Sequence, residues 1–334
     1  MVTMSPFRRR LGWTLVTLSL FLHLFTIGCY STQPDALAAF TVMPIWLWGA
    51  IGLLLSAVAF YFMRAPLSLV LSGIWALTLL IGSDEARALG HIGRQPPQPG
   101  PAAPFQSRKV LRVLTINTGN LYFGDPTDEI LAWDPDIVLL QQTNPVHTAR
   151  IASQLYQGKG DFRTNMFNGV ITRWKIRRED KNRVIRSQQL EIVTPDGSAL
   201  QVVNIHLATA ATDLRLWKRS AWRDHSHNRK LRRQEMSVAL QILSQTTTFP
   251  TVPTILGGDF NAPATDVVHR QLSRDFIDAF AETGVGWGNT FHRRFPILRI
   301  DHIYSTRHLT PVRCRVVETR HSDHRFVVAD FLMR

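Results

Sequence analysis

Apolar runs in the second half of the chain end, one after another, in side chains that could bind a cation or move a proton. Asn117 closes VLRVLTIN, Gln142 closes DIVLLQQ and His206 closes ALQVVNIH. Asp259 and Asn261 lie in GGDFNAP, Asp301 in RIDHIY, and Asp323 and His324 in HSDHR. Carboxylates and amides offer the oxygen donors that hard divalent cations prefer. An imidazole beside a carboxylate makes an acid–base pair whose orientation and basicity the carboxylate sets. GGDFNAP is the densest of these stretches. Gly257 and Gly258 allow a sharp turn or close approach to a ligand. In extended geometry Asp259 and Asn261 point one way and Phe260 the other. The bland alternative is a polar loop that caps the next helix.

These groups meet only if the strands that carry them share one rim. Val110–Asn117, Asp136–Gln142, Gly169–Thr172, Gln188–Val193, Ala199–His206, Thr254–Asp259, Arg299–Tyr304, Val312–Val317 and Phe326–Leu332 read as strands from their apolar and β-branched content. Thr127–Trp133, Val146–Tyr156, Leu214–Gln245 and Val267–Leu272 read as helices. Pro195-Asp196-Gly197 predicts a hairpin turn. Strands interleaved with helices imply an α/β fold.

The first third of the chain has a different composition. Leu11–Tyr30, Phe40–Met63 and Pro66–Gly82 are free of charge and apolar. About 20 apolar residues cross a hydrocarbon core, so the first two suffice and the third is at the short end. Arg8, Arg9 and Arg10 precede the first run, Asp35 is the charge in the first loop, and Arg64 lies before the third run. The positive-inside rule then places the amino terminus in the cytoplasm and everything after Gly82 outside it. Trp46 and Trp48 suit the outer interface. Two alternatives stay open: the first run is a cleaved secretory signal, or the third does not cross and the second half is cytoplasmic. Gln95–Pro104, QPPQPGPAAP, reads as an extended spacer that holds the next unit off the membrane. The expected organisation is a membrane unit at 1–90, a linker at 91–107 and a catalytic unit at 108–334.

Of the 38 basic and 25 acidic residues, six and three lie in residues 1–104, so the remainder carries a net +10. Such a balance favours an anionic partner: nucleic acid, a phosphorylated ligand or a lipid headgroup. Arg215, Lys218, Arg219, Arg223, Arg229, Lys230, Arg232 and Arg233, interleaved with Trp217 and Trp222, concentrate it. They read equally as a phosphate-binding face and as a solvated helix face with core tryptophans. Two distant cysteines, Cys29 and Cys314, exclude a disulfide framework.

TINTGN with Asn117, LLQQ, NIHL at Asn204–Leu207, GGDFNAP, RIDHIY and HSDHR occur in an order that resembles the endonuclease/exonuclease/phosphatase superfamily. That group includes pancreatic-type deoxyribonucleases, abasic-site endonucleases, sphingomyelinases and inositol polyphosphate 5-phosphatases. The resemblance covers about residues 108–334. It implies a two-layer β-sandwich flanked by helices, here preceded by three transmembrane helices. It implies Mg²⁺ or Mn²⁺ as cofactor. By the same resemblance Asn117 lies near the metal and Asp323 is its neighbouring carboxylate. Asp259 orients or deprotonates the attacking water, and Asn261 holds the phosphate. Asp301 orients the imidazole of His324, and His206 stands against the phosphate. His302 and His321 have no counterpart and read as structural.

One position departs from the family. Where the second strand ends in Gln-Glu, this chain has Gln141-Gln142. Gln142 keeps a carbonyl oxygen for the metal and loses the charge. A retained site, a substitute acid such as Asp125, and a non-catalytic binder or scaffold are the three consequences. The reading is a multi-pass cell-membrane phosphodiesterase with its catalytic unit outside the cytoplasm, acting on DNA or RNA. A hydrolase of phospholipid headgroups or other phosphate esters is the alternative. Nothing in the sequence marks an obligate protein partner. Gln142→Glu is expected to tighten Mn²⁺ binding in a calorimetric titration, and an unchanged titration would place the ligand elsewhere.

Overall fold

The strand Val110–Asn117 (β1) is apolar along both faces because both faces are covered. Leu111 and Val113 pack between two sheets, whereas Leu114 and Ile116 pack under helices on the outside. This two-sided burial repeats through the rest of the chain and gives two six-stranded sheets face to face. The computed structural model describes residues 5–93, 110–180, 186–209 and 213–333.

In one sheet β1 pairs in parallel with Ile137–Gln141 (β2). Asp161–Thr164 (β3) and Asn168–Thr172 (β4) extend it on one side. The other sheet begins with Lys175–Asp180 (β5) and Ser187–Val193 (β6). Its centre is again a parallel pair, Ala199–His206 (β7) and Thr254–Asp259 (β8). Phe276–Asp278 (β9) and Asp301–Thr306 (β10) complete it. Leu309–Val317 (β11) and Phe326–Met333 (β12) return to the first sheet. The orders are β11-β12-β1-β2-β4-β3 and β5-β6-β7-β8-β10-β9.

The parallel pairs explain why the polar strand ends converge. A parallel strand needs a helical crossover, and both of its strands finish at the same rim. Asn117, Gln141, His206 and Asp259 are therefore terminal residues at one end of the sandwich. Antiparallel neighbours reach that rim with their first residues. Asp301 opens β10 opposite Asp259, and Asn168 opens β4 opposite Gln141. Both predicted hairpin strands and all the long strands are present. β3, β5 and β9 are short and polar strands that lack an apolar run to announce them.

Nine α-helices and a short turn of helix matter here. Pro6–Thr32 (α1), Ala38–Thr41 (α2), Ile45–Met63 (α3), Pro66–Gly82 (α4) and Asp84–Leu89 (α5) precede the sandwich. Thr127–Leu131 (α6), Pro145–Tyr156 (α7), Arg219–Thr246 (α8) and Ala279–Thr283 (α9) flank it. The stretch Val267–Gln271 is a tight 3₁₀ turn rather than an α-helix.

α1 and α3 are long and apolar enough to cross a membrane, and α4 has 17 residues. Phe21, Leu24, Leu54, Tyr61, Leu80 and Ile81 are exposed on these helices, an apolar surface that water does not favour. Their inner contacts use small and hydroxyl residues, as helices do in lipid. Ser19 Oγ lies 2.9 Å from Ser56 Oγ, and Trp75 Nε1 donates to Ser19 Oγ.

The expected stand-off between the two units is not seen. Gln95–Pro104 lies outside the described residues, but the segments on either side of the apolar helices pack onto the sandwich. Ala88 in α5 joins the core between the sheets. Val42 and Met43 form a cluster with Leu298 and Ile300. The basic helix α8 explains why contact is favourable. Arg233 pairs with Asp35 at 2.8 Å, and Arg229 Nη2 donates to Thr41 Oγ1. Arg229 and Arg232 are buried beside Asp266 at 3.0 and 3.5 Å. Arg229 and Arg233 thus dock the two segments and Arg232 is an interior ion-pair residue, so these three fit neither a phosphate-binding face nor a solvated one.

Removing one member of a buried ion group leaves the others uncompensated. Asp266→Ala strands two buried guanidiniums and is expected to cost about 3–5 kcal/mol. Thermal denaturation in detergent measures this, and an unchanged midpoint would contradict it.

Candidate active site

Asp259 sits at the centre of the rim. It is buried, and its carboxylate collects three hydrogen bonds. Asn117 Nδ2 donates to Oδ2 at 2.9 Å, Asn261 Nδ2 donates to the same atom at 3.3 Å, and Asn261 N–H donates to Oδ1 at 2.8 Å. Asp259 and Asn261 are side by side as expected, but not by strand alternation. Asn261 has φ 49°, a left-handed conformation that folds its side chain back onto Asp259. Its amide is locked further by donation to Leu207 O at 3.0 Å. Phe260 points into the core beneath, as predicted. The glycines serve packing between strands rather than ligand approach. A Cβ on Gly258, at φ 134°, would lie 2.0 Å from Ile205 O of the parallel neighbour β7.

Two histidines flank the central carboxylate. His206 Nε2 is 3.8 Å and His324 Nε2 3.9 Å from Asp259 Oδ2. Behind His324, Nδ1–H donates to Asp301 Oδ2 at 2.8 Å. Their environments push the two rings apart. Burial dominates at His206 and lowers its pKa, which keeps it neutral. Burial also opposes the charge on His324, but Asp301 and then Asp259 outweigh it and push its pKa up to about 9. One neutral and one protonated imidazole therefore face the same carboxylate at neutral pH.

Residues without a chemical signature hold this pair. Thr290 Oγ1 accepts the N–H groups of Ile300 and Asp301, each at 3.2 Å. Ser322 Oγ donates to Asn117 O at 2.6 Å and accepts His324 N–H at 3.0 Å, so β1 and the HSDHR loop move as one. The Phe291 ring lies 5.1 Å from that of His324. Ser322 was readable from its place inside HSDHR, and Asn204 from NIHL. Thr290 and Phe291 sit in an irregular loop with no local pattern.

The strand end at LLQQ divides its work. Gln141 points inward: Nε2 donates to Asn204 Oδ1 at 2.7 Å and to Thr115 Oγ1 at 3.0 Å. Asn204 Nδ2 in turn donates to Leu140 O and Gly169 O, tying the two sheets beneath the site. β2 ends there, one residue before the expected limit. Gln142 has φ 48°, and its carbonyl accepts Asn120 N–H and the Thr118 hydroxyl. It thus borders the loop that follows Asn117. Asp323 borders the same loop, since a Cβ on Gly119 would lie 3.4 Å from Asp323 Oδ1. Asp125, the substitute acid, is committed elsewhere: it accepts from Thr127 N–H at 3.0 Å and pairs with His147 and Arg150. His302 is structural, as expected, with Nδ1 3.4 Å from Asp278. His321 lies 3.3 Å from Glu129 at the surface.

Two sets of groups bear on metal binding. Asp259, Asp301 and His324 bring ligand atoms within 4.8 Å of one another. In that group His324 Nδ1 is taken up by Asp301 Oδ2 at 2.8 Å. Asn117, Gln142 and Asp323 offer oxygen donors around one loop, which fits a hard cation in kind. Only Asp323 among them carries charge.

A family model described as the Endonuclease/Exonuclease/phosphatase family matches residues 116–324. Solved structures share the fold at low identity. An endonuclease/exonuclease/phosphatase from Bacteroides vulgatus is 15% identical with a TM-score of 0.54, covering 67% of this chain and 99% of its own. Mannosyl-6-phosphatase Bt3783 from Bacteroides thetaiotaomicron is 15% identical with a TM-score of 0.51, covering 67% and 100%. A humanized D. rerio TDP2 is 17% identical with a TM-score of 0.50, covering 67% and 99%. No curated protein matches the chain by sequence.

The His324–Asp301 pair has a pH signature. His324 is protonated in the folded protein up to about pH 9, above the ordinary value of ~6.5. The stabilisation it contributes is complete below the ordinary value and is lost as pH rises through about 9. Activity that needs the imidazolium falls over the same alkaline limb. Asp301→Asn removes the larger favourable charge and is expected to move that limb down by ~1–3 pH units. A limb that stays in place in a pH–rate profile would separate it from His324.

The matched span takes in every one of these rim residues, and the chain belongs to the endonuclease/exonuclease/phosphatase family.

Proposed function

We propose that the protein is a membrane-anchored, divalent-metal-dependent phosphodiesterase. The observation that carries this reading is the buried Asp259 with His206 and His324 at 3.8 and 3.9 Å from its carboxylate. Hydrolysis of a phosphodiester needs a water oxygen to attack phosphorus, a P–O bond to break, and a proton for the departing oxygen. Asp259 orients the water and accepts its proton. The His324 imidazolium, oriented by Asp301, stabilises charge that grows on the phosphoryl oxygens and gives its Nε2 proton to the departing oxygen. His206 stands against the phosphate, and the Asn261 amide, donating to Leu207 O and Asp259 Oδ2, fixes the central carboxylate. Asn117, Gln142 and Asp323 would hold Mg²⁺ or Mn²⁺, which when bound supplies further charge neutralisation.

The anchor is α1, α3 and α4, with the catalytic unit outside the cytoplasm by the arginines in the first turns of α1 and the one before α4. The division at 1–90, 91–107 and 108–334 belongs to the same reading. Among substrates, a phospholipid headgroup is better supported than nucleic acid. The basic segment that favours nucleic acid is partly spent elsewhere: Arg229 and Arg232 are buried against Asp266, and Arg233 meets Asp35. Of the exposed remainder, Lys230 lies within α8, whereas Arg215, Lys218, Arg219 and Arg223 lie at or just before its amino-terminal end, where the helix dipole disfavours cations. Arg215 pairs with Asp213 at 2.8 Å, but helix stability does not account for Lys218, Arg219 and Arg223. Leu214 and Leu216 beside them pack with Val42, Met43 and Trp48 at the end of the apolar helices. Trp217 is 79% exposed there. A basic, aromatic edge in that place suits anionic headgroups. The net +10 keeps a nucleic-acid substrate as the second reading.

A substrate panel tests the proposal: phosphatidylglycerol vesicles, plasmid DNA, single-stranded RNA and bis(p-nitrophenyl) phosphate, with Mg²⁺, Mn²⁺ or chelator. Headgroup release that chelator abolishes and metal restores is expected, with loss of at least ~100-fold in His324→Ala. Cleavage of DNA or RNA with intact vesicles would favour the nuclease. Inactivity on every substrate would support a binding or scaffold role.

A further inference from the structure

The turn that leaves the apolar helices is built into the floor of the active site. Ser83 Oγ caps α5 by accepting Ala86 N–H at 3.0 Å, which presents Asp84 and Glu85 in its first turn. Each acid then holds a residue close to Asp301. Asp84 Oδ2 accepts two hydrogen bonds from Arg299, at 2.6 and 3.1 Å, and Arg299 lies two residues before Asp301. Glu85 Oε1 accepts Asn289 Nδ2–H at 2.9 Å, and Asn289 precedes Thr290, whose hydroxyl accepts the Asp301 N–H.

The rest of the contact reinforces these two bonds. Arg299 is buried and also donates to Asp278 at 2.9 Å. Its carbonyl lies 3.0 Å from His302 Nε2, which is 3.3 Å from Ala262 O, next to Asn261. The same Glu85 oxygen accepts Trp46 Nε1–H at 3.2 Å, at the first turn of α3. Val42 and Met43 pack against Leu298, Ile300 and Phe291, the residue that lies on His324. The loop that positions both members of the Asp301–His324 pair is thus gripped from the membrane side. A soluble tether would need none of this.

We propose that Asp84 and Glu85 are positioning residues for the Asp301–His324 pair, so that the membrane segment is a working part of the active site. The proposal rests on the catalytic reading above. Misplacing a catalytic group by about 1 Å can cost ~100-fold in rate while leaving substrate contacts in place.

The test uses the full chain in nanodiscs and bis(p-nitrophenyl) phosphate as probe. Asp84→Asn/Glu85→Gln is expected to lower kcat ~10- to 100-fold with KM unchanged. Amide hydrogen exchange across residues 289–301 should rise in the same variant. Asp84→Glu alone should retain most of the rate, because it keeps the charge facing Arg299. Wild-type kcat and wild-type exchange would overturn the proposal. So would a parallel fall in kcat, KM and thermal midpoint that Asp84→Glu shares, since that is the signature of a merely structural contact. His324→Ala in the same preparation separates the two ideas. If it stays active, the catalytic reading fails, whereas the exchange across 289–301 still decides whether the grip exists.

Discussion

The rim of this sandwich depends on one buried ion pair. Asp301 and His324 lie 2.8 Å apart, with both side chains almost fully buried. Either charge alone would cost several kcal/mol in that environment. Together they are tolerable only if their geometry holds, and the surrounding residues serve that end. Thr290 fixes the backbone of Asp301, Ser322 fixes that of His324, and Phe291 covers the ring. Asp259 adds a second carboxylate within 3.9 Å. Asp301 and Asp259 therefore raise the proton affinity of this imidazole, whereas burial lowers that of His206 on the far side of Asp259.

Topology delivers these groups to one place. Each sheet has a parallel pair at its centre, and a parallel pair ends both of its strands at the same edge. Antiparallel neighbours then start where the central strands stop. Asp259 and Asp301 are direct register partners for this reason. A shift of one residue in that register would turn one of the carboxylates to the other face. The Gly258 backbone, too close to β7 for any side chain, resists such a shift.

The apolar helices are joined to this arrangement by charge as well as by packing. Asp35 meets Arg233, Asp84 meets Arg299, and Arg229 reaches Thr41. Most of the acid residues of the first third are used in these contacts. The basic content of α8 thereby has two roles. Its carboxy-terminal part closes the junction, and its amino-terminal part stays exposed beside it.

Much of this was legible in the sequence. Apolar runs of the right length located the long strands, and the order of motifs pointed to the family and its rim residues. Short polar strands such as β3 and β9 were not legible, because their stability comes from neighbours rather than from their own side chains. Nor was the division of labour between Gln141 and Gln142, which a left-handed backbone decides. By itself the sequence determined which side chains stand at the ends of buried strands, since periodicity and burial are local properties. Only the tertiary structure decided that Arg229 and Arg232 are interior, that Thr290 supports Asp301, and that Asp84 reaches Arg299 across 215 residues. Ion pairs and hydrogen bonds between distant segments leave no periodic trace in a chain; they exist only once folding has set both partners at contact distance.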